Sequence, residues 1–331
     1  MMDRRRALSL LTWLLGALLL YLVIHSVSFA DVAATLRQLR WWQLLVLVAV
    51  NALVLVTITG RWWILLRGAG HRVPFASLFA YRLAAFGLSY FTPGPHVGGE
   101  MIQVFMVERE QGVPRSDALA AVVLDKAIEF SINLSFLFLG IAAVLQWRIV
   151  PRESGQQALG LAAALLVIPV LYLGTTARGF YPGTRLLRPL AQRWPRLLPA
   201  AATVEESEAQ VGRYFRRAPR AFAAAVVVTL IGWAVLIAEY WLMVSFLGVN
   251  LTLPQLVGAL TAARISILLF IPAGLGALEA SQATAFALLG LDPAVGISAS
   301  LLIRIRDTLL GLFGLWWWSG HRLLSRRRAS G

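Results

Sequence analysis

The chain has 331 residues, of which 59% are apolar and 14% charged, with a mean hydropathy of +0.72 and a formal net charge of +14. This composition is typical of a polytopic membrane protein and leaves no room for a sizeable soluble domain. Cysteine is absent, which excludes disulfides, thiolate catalysis and cysteine-ligated metals. We expect the arginines to set topology and meet anionic lipid headgroups, and we expect no nucleic-acid partner.

The N-terminal segment carries three arginines, Arg4, Arg5 and Arg6, followed by an apolar run over residues 7–24. It could be a signal peptide, because residues 28–30 offer a small-x-small cleavage site. The run is longer, however, than the usual signal core of about 7–15 residues. We therefore interpret it as a retained first span.

Six apolar segments are long enough to cross a bilayer, at about 20 residues per crossing. They cover residues 7–26, 41–66, 118–146, 156–175, 221–247 and 295–318.

Two further apolar regions, 77–107 and 254–290, are interrupted by proline and glycine, and a glutamate follows each break, at Glu100 and Glu279. The break residues are Pro93, Gly98 and Gly99 in the first region and Pro272, Gly274 and Gly276 in the second. Proline and glycine favour backbone shapes that a helix interior forbids. The pieces suit two re-entrant helical hairpins, although ordinary kinks in eight plain spans are the alternative.

Arginine distribution predicts the orientation. Loop 176–220 holds nine arginines against three glutamates, and both ends of the chain are basic. We expect the protein to lie in the cytoplasmic (inner) membrane. By the positive-inside rule, this loop and both termini are then on the cytoplasmic side. The two hairpins then enter from opposite sides. We predict one all-α membrane domain over 1–331, built as an inverted repeat of residues 1–150 and 151–331.

Within the cytoplasmic loop, residues 200–217 alternate apolar and charged positions at helical spacing, with Val204, Val211 and Phe215 near one face. This pattern predicts a helix on the headgroup layer. A solvated linker helix is the alternative.

Ionisable residues in the spans give the second signal. Asp125, Lys126 and Glu129 lie well inside the third span, and a group around Arg304 and Asp307 lies well inside the sixth. An intramembrane charge costs at least ~2.5–3.5 kcal/mol on insertion scales and often marks a pathway. Lys126 with Glu129, and Arg304 with Asp307, are i,i+3 neighbours on one helix face. The alternative is that these charges only pair and hold helices together.

Arginine suits phosphate, and so do the free N–H groups of broken helix ends. We hypothesise that Lys126, Arg264 and Arg304 neutralise a lipid phosphate in a mid-membrane cavity and that nearby acids balance them when the site is empty. The candidate substrate-binding residues are Arg82, Glu100, Asp125, Lys126, Glu129, Glu239, Arg264, Glu279, Arg304 and Asp307.

With these motifs the chain resembles the lysylphosphatidylglycerol synthase transmembrane-region family, also called flippase-like proteins. The residues that carry the resemblance are Arg61-Trp62-Trp63, Pro93 with Gly98-Gly99-Glu100, Asp125-Lys126-x-x-Glu129, Pro272-x-Gly-x-Gly-x-x-Glu279 and Ile303-Arg304. The chain departs from the family at two places. Asp125-Lys126-x-x-Glu129 stands where Glu-Arg-x-x-Asp is usual, which keeps the sign of every charge, and Gln103 stands where an arginine is usual. The loss at Gln103 weakens the case for a phosphate site in the first hairpin itself.

The resemblance implies a lipid flippase-like membrane domain that moves an anionic or phosphate-bearing lipid, a polyprenyl-phosphate type included. Synthase members carry a further soluble domain, which we do not expect in a chain that ends at Gly331. No catalytic motif, cofactor or metal site is expected from the sequence. The alternative is a membrane enzyme, or the membrane subunit of a complex for lipid-headgroup modification or glycolipid or hopanoid synthesis, with a synthesis enzyme as partner.

Overall fold

The computed structural model describes residues 29–91, 99–149, 152–268 and 276–329, and over these ranges the chain is helical, without strands. In chain order the helices are α1 (Phe29–Arg37), α2 (Trp41–Gly68), α3 (Phe75–Phe91), α4 (Glu100–Gln111), α5 (Arg115–Gln146), α6 (Arg152–Ala177), α7 (Pro182–Arg193), α8 (Leu198–Arg217), α9 (Pro219–Phe246), α10 (Leu253–Leu268), α11 (Ala277–Leu288) and α12 (Pro293–Ala329), with a 3₁₀ turn at Pro195–Leu197.

Four described helices are long and apolar enough to cross a membrane. They are Trp41–Gly68, Arg115–Gln146, Gly155–Ala177 and Pro219–Phe246. The predicted span 295–318 is also helical, as part of α12, but it carries three charges close together in its middle. The predicted first span, 7–26, lies outside the described residues. The prediction of an all-α membrane protein is confirmed.

The first interrupted region folds into two short antiparallel helices, α3 and α4. At one end, Gly99 donates its backbone N–H to Ser89 Oγ at 2.8 Å. At the other end, Tyr81 donates its hydroxyl to Glu110 at 2.8 Å. The close approach requires glycine at position 99, because a Cβ there would collide with the carbonyl oxygen of Ala85. Pro93 and Gly98 lie outside the described residues.

The second interrupted region repeats this arrangement in α10 and α11. Gln282 donates to the Ala259 carbonyl at 3.1 Å, and Gln255 contacts the Leu289 carbonyl at 3.4 Å, so the two helices run antiparallel. Gly276, just before α11, has a φ of 76°, a left-handed conformation that glycine adopts without strain. Pro272 and Gly274 lie outside the described residues. Each interrupted region is therefore a pair of short helices and not one straight crossing.

The long helices pack in a reciprocal pattern. Helix α2 lies along α9. Helix α3, from the first hairpin, packs on α12, and α10, from the second hairpin, packs on α5. Each hairpin thus contacts the last long helix of the other half of the chain.

The predicted helix in the loop 176–220 is present as α8, and a second helix, α7, precedes it. Glu208 of α8 accepts the backbone N–H groups of Gly183 and Thr184 at 2.8 Å each and caps the start of α7. Val211 is fully buried in a cluster that includes Leu65 and Leu124. The apolar face of α8 therefore contacts the helical bundle, in place of the headgroup layer expected from the sequence.

The contact between α3 and α12 supplies a test of the packing. A Cβ at Gly314 would collide with the backbone carbonyl of Leu83, whereas Gly160 in α6 has open space around it. We expect Gly314→Ala to lower the melting temperature of the purified protein clearly, because the backbone of α3 or α12 would have to move to make room for the methyl group. Gly160→Ala should leave it unchanged or raise it slightly, since alanine favours a helix by up to about 1 kcal/mol. Equal melting temperatures for the two variants would contradict this packing.

Candidate functional site

The centre of the site is a buried carboxylate shared by two arginines. Arg61 of α2 donates from Nε to Asp125 of α5 at 2.6 Å and from a terminal nitrogen to Glu129 at 2.7 Å. Arg82 of α3 contacts the other oxygen of Asp125 at 3.0 Å. Asp125 has no exposed surface, so its contact with any substrate would require these helices to separate.

Lys126 connects this group to the first hairpin. Its ammonium lies 3.4 Å from Glu100 at the start of α4 and 3.5 Å from Glu129, one turn along α5. The predicted i,i+3 pair of Lys126 and Glu129 is therefore present. These three side chains are partly accessible, with 26% exposure for Lys126, 21% for Glu100 and 38% for Glu129. They form the accessible edge of the first network, which consists of Arg61, Arg82, Glu100, Asp125, Lys126 and Glu129.

A second network joins α2, α9 and α12. Arg306 donates to Glu239 of α9 at 2.7 Å and to its neighbour Asp307 at 2.9 Å. Asn51 of α2 donates its amide to the same oxygen of Glu239 at 3.1 Å. Glu239 is 6% exposed, and the described partners of its carboxylate are one guanidinium and one amide.

Glu279 and Arg304 form a third group between the second hairpin and α12. Both guanidinium contacts of Arg304 reach the same carboxylate, Nε to one oxygen and a terminal nitrogen to the other, the latter at 3.0 Å. This bidentate arrangement is the strongest geometry for an arginine–carboxylate pair. The expected pairing of Arg304 with Asp307 is wrong, because Glu279 lies across the helix interface and Asp307 binds Arg306.

Arg264 of α10 differs from the other cations. Among the described residues no carboxylate lies within salt-bridge distance of it, and its Nε is buried without an acceptor. Its guanidinium lies over the ring of Trp233, 4.8 Å from the centroid. It is within electrostatic reach of Glu129 in the first network and of Arg306, Asp307 and Glu239 in the second. Arg264 therefore lies between the first and second networks.

Three residues of the networks, Arg61, Arg306 and Asn51, are not among the candidates that the sequence indicates. Arg61 is the sole charge in the predicted span 41–66 and appears above only in the motif Arg61-Trp62-Trp63 that carries the family resemblance; its isolation in an apolar span is the signal that could have indicated a buried partner. Arg306 belongs to the charged group around Arg304 and Asp307 in the last predicted span, but its spacing indicates no partner on another helix. Asn51 gave no strong signal, since one amide in an apolar helix is common. A groove of about 590 Å³ lies apart from these networks, lined by residues such as Met101 and Phe105.

Comparison with known proteins agrees with this architecture. Residues 7–314 match the profile of the family described as Lysylphosphatidylglycerol synthase TM region. The chain belongs to this family. It is also similar to two UPF0104 membrane proteins of Methanothermobacter thermautotrophicus, at 20% identity over 88% of each chain and at 24% identity over 94% of this chain and 93% of the relative. A UPF0104 membrane protein of Pyrococcus horikoshii is 24% identical over 76% of this chain and 79% of its own.

The matched range includes both hairpin regions and every charged residue of the three networks, because it extends from the first predicted span into α12. The chain is therefore a multi-pass membrane protein whose charged networks lie within the family region. The names of these relatives describe membrane proteins and give no substrate.

Removing the shared carboxylate should damage the fold. Asp125→Asn would leave Arg61 and Arg82 without their common partner in a buried setting, which costs about 3–5 kcal/mol. We expect a lower melting temperature in detergent than for Glu153→Gln, which removes an exposed carboxylate at the start of α6. The double variant Arg61→Gln with Asp125→Asn should lose less stability than the sum of the two single changes. Full additivity would show that the pair is not coupled.

Proposed function

We propose that the protein is a lipid translocator that moves an anionic or phosphate-bearing lipid across the membrane, with the headgroup passing the charged networks inside the helical bundle. The observation that carries the proposal is Arg264, a mostly buried cation that has no carboxylate partner among the described residues. The nearby cation Arg306, in contrast, is paired with Glu239. A greasy tail would remain in the surrounding lipid while the headgroup passes between the helices.

Purely structural pairing would explain the other charges but not Arg264. Charges in a membrane interior are expensive and are retained where they bind ions, substrates or one another. Arg61, Lys126, Arg304 and Arg306 each have a carboxylate nearby. The Arg264 guanidinium, for which the described part of the chain supplies no carboxylate, offers a planar set of donors that matches phosphate oxygens, and it lies over the Trp233 ring.

The formal charge of the networks constrains how a phosphate could enter. Together with Arg264, which lies between the first two of them, the three groups contain six cations, Arg61, Arg82, Lys126, Arg264, Arg304 and Arg306, and six carboxylates, Glu100, Asp125, Glu129, Glu239, Glu279 and Asp307. The empty site is therefore neutral, and a phosphodiester would add one negative charge. Uptake of one proton or one cation would restore neutrality. Glu129 is the most exposed of these carboxylates, at 38%, but its contacts with Arg61 and Lys126 oppose its protonation and favour uptake of a cation with the lipid.

The helix packing supports an alternating mechanism. A two-fold repeat of residues 1–150 and 151–331 would pair α2 with α9 and would exchange the hairpins between the halves, which matches the observed neighbours. Transporters built from inverted repeats bind substrate where broken helices meet and move one half against the other. We propose re-entrant hairpins on this basis, with their openings on opposite sides of the cytoplasmic membrane and both termini in the cytoplasm.

The absence of cysteine makes the orientation directly testable. Ala69 lies exposed at the end of α2, and Thr252 lies exposed just before α10. On intact cells we expect a membrane-impermeant maleimide to label Thr252→Cys and to label Ala69→Cys only after permeabilisation. Labelling of both positions from the same side would contradict the inverted arrangement.

Arg264→Gln is the sharpest test of the lipid site, because the change strands no described carboxylate and should leave the fold intact. The assay follows fluorescent phosphatidylglycerol across proteoliposomes that contain only this protein. A charged hydrogen bond contributes about 1.5–3 kcal/mol, so we expect transport to fall about 10- to 100-fold. Arg264→Lys should retain part of the rate, and Arg220→Gln, at the exposed start of α9, should retain all of it.

Wild-type rates in a well-folded Arg264→Gln variant would refute the role of Arg264. Arg304→Gln is a weaker test, since it leaves Glu279 without its guanidinium partner. Wild-type protein that folds but moves no lipid alone would favour a membrane subunit that needs a synthesis enzyme.

A further inference from the structure

Helix α7 presents an apolar face that no other described part of the chain covers. Leu186 is 72% exposed and Leu190 42%, and they are followed by Trp194 at 55% and Leu198 at 54%. Leu186 and Leu190 are four residues apart and therefore share one side of the helix. An exposed apolar strip of this kind marks an interaction surface.

The opposite side of α7 is fixed to the protein. Thr184 and Ala191 are buried, and Glu208 of α8 holds Thr184 through both its backbone N–H and its hydroxyl, the latter at 2.6 Å. Helix α8 is in turn packed on the bundle through Val211. The orientation of α7 is therefore set by the fold, and its apolar strip points away from the protein.

The surroundings of the strip are strongly basic. Five arginines lie between residues 178 and 196, and no acidic residue occurs between 154 and 204. The five are Arg178, Arg185, Arg188, Arg193 and Arg196, and all are exposed. Apolar residues with flanking arginines and an interfacial tryptophan are the composition of a helix that lies in the surface of an anionic bilayer.

The position of α7 along the chain agrees with this surface. The candidate span Gly155–Ala177 ends five residues before α7 begins at Pro182. Its lipid-facing residues Ile168 and Leu171 are exposed, as is Phe180 in the connection. The exposed apolar residues of α7 therefore begin within about ten residues of the end of an apolar helix long enough to cross the membrane.

We propose that α7 with the following turn lies in the membrane interface and binds anionic phospholipid headgroups through its arginines, with Leu186, Leu190 and Trp194 in the acyl boundary. This replaces the sequence-based assignment of that role to residues 200–217, whose apolar face is covered by the bundle. The surface is separate from the charged networks, and its binding of lipid does not depend on the proposed transport.

Single-cysteine variants on the cysteine-free chain test the proposal. Leu186→Cys and Gln192→Cys, both at exposed positions of α7, would carry a bimane fluorophore in nanodiscs of phosphatidylcholine with or without phosphatidylglycerol. Gln192 lies about 120° around the helix from Leu186 and serves as the matched control. We expect spin-labelled lipid to quench position 186 and aqueous iodide to quench position 192.

The headgroup preference is measured with the same reporter. Spin-labelled phosphatidylglycerol should quench position 186 severalfold more than spin-labelled phosphatidylcholine. The combined substitutions Arg185→Gln, Arg188→Gln, Arg193→Gln and Arg196→Gln should abolish that difference. Iodide quenching at position 186 equal to that at 192 would overturn the membrane contact. Lipid quenching without headgroup preference would overturn the anionic site. Protection from both quenchers would indicate a protein partner or a second copy and would also overturn the proposal.

Discussion

One buried carboxylate organises the first half of the molecule. Asp125 has no exposed surface and accepts from Arg61 and Arg82, so it ties α2 and α3 to α5 inside an apolar bundle. A buried charge with a missing partner is far more expensive than a paired one. Separation of α2 or α3 from α5 would therefore leave a buried charge without its partner, and Lys126, the next residue of α5, extends the contacts to Glu100 of α4.

The sequence was a good guide to class and a poorer guide to pairing. Hydropathy and arginine distribution predict membrane helices because each signal is local to its segment. Breaks at proline and glycine predicted two short helix pairs for the same reason. The partner of Arg304 depends on which helices meet across the bundle, and spacing within α12 favoured Asp307 where the fold supplies Glu279. The partners of Arg61 were not predicted either, because its position near the end of α2 does not reveal that Asp125 and Glu129 of α5 face it.

The loop between α6 and α9 shows the same limit. Its helical periodicity predicted α8 correctly but could not tell a lipid surface from a protein surface, since both accept the same apolar stripe. Val211 is buried against Leu65 and Leu124, while Leu186 on the preceding helix is exposed. The choice between the two helices is made by tertiary packing, with Glu208 fixing one to the other.

Helix α2 contributes to two networks at once. Asn51 holds Glu239 near one part of the helix, and Arg61, ten residues further on and about 15 Å along the axis, holds Asp125 and Glu129. A sliding or rotating α2 would disturb both contacts in the same movement. Because α2 is one continuous helix, a displacement that breaks the contact of Asn51 with Glu239 would also strain the contacts of Arg61 with Asp125 and Glu129.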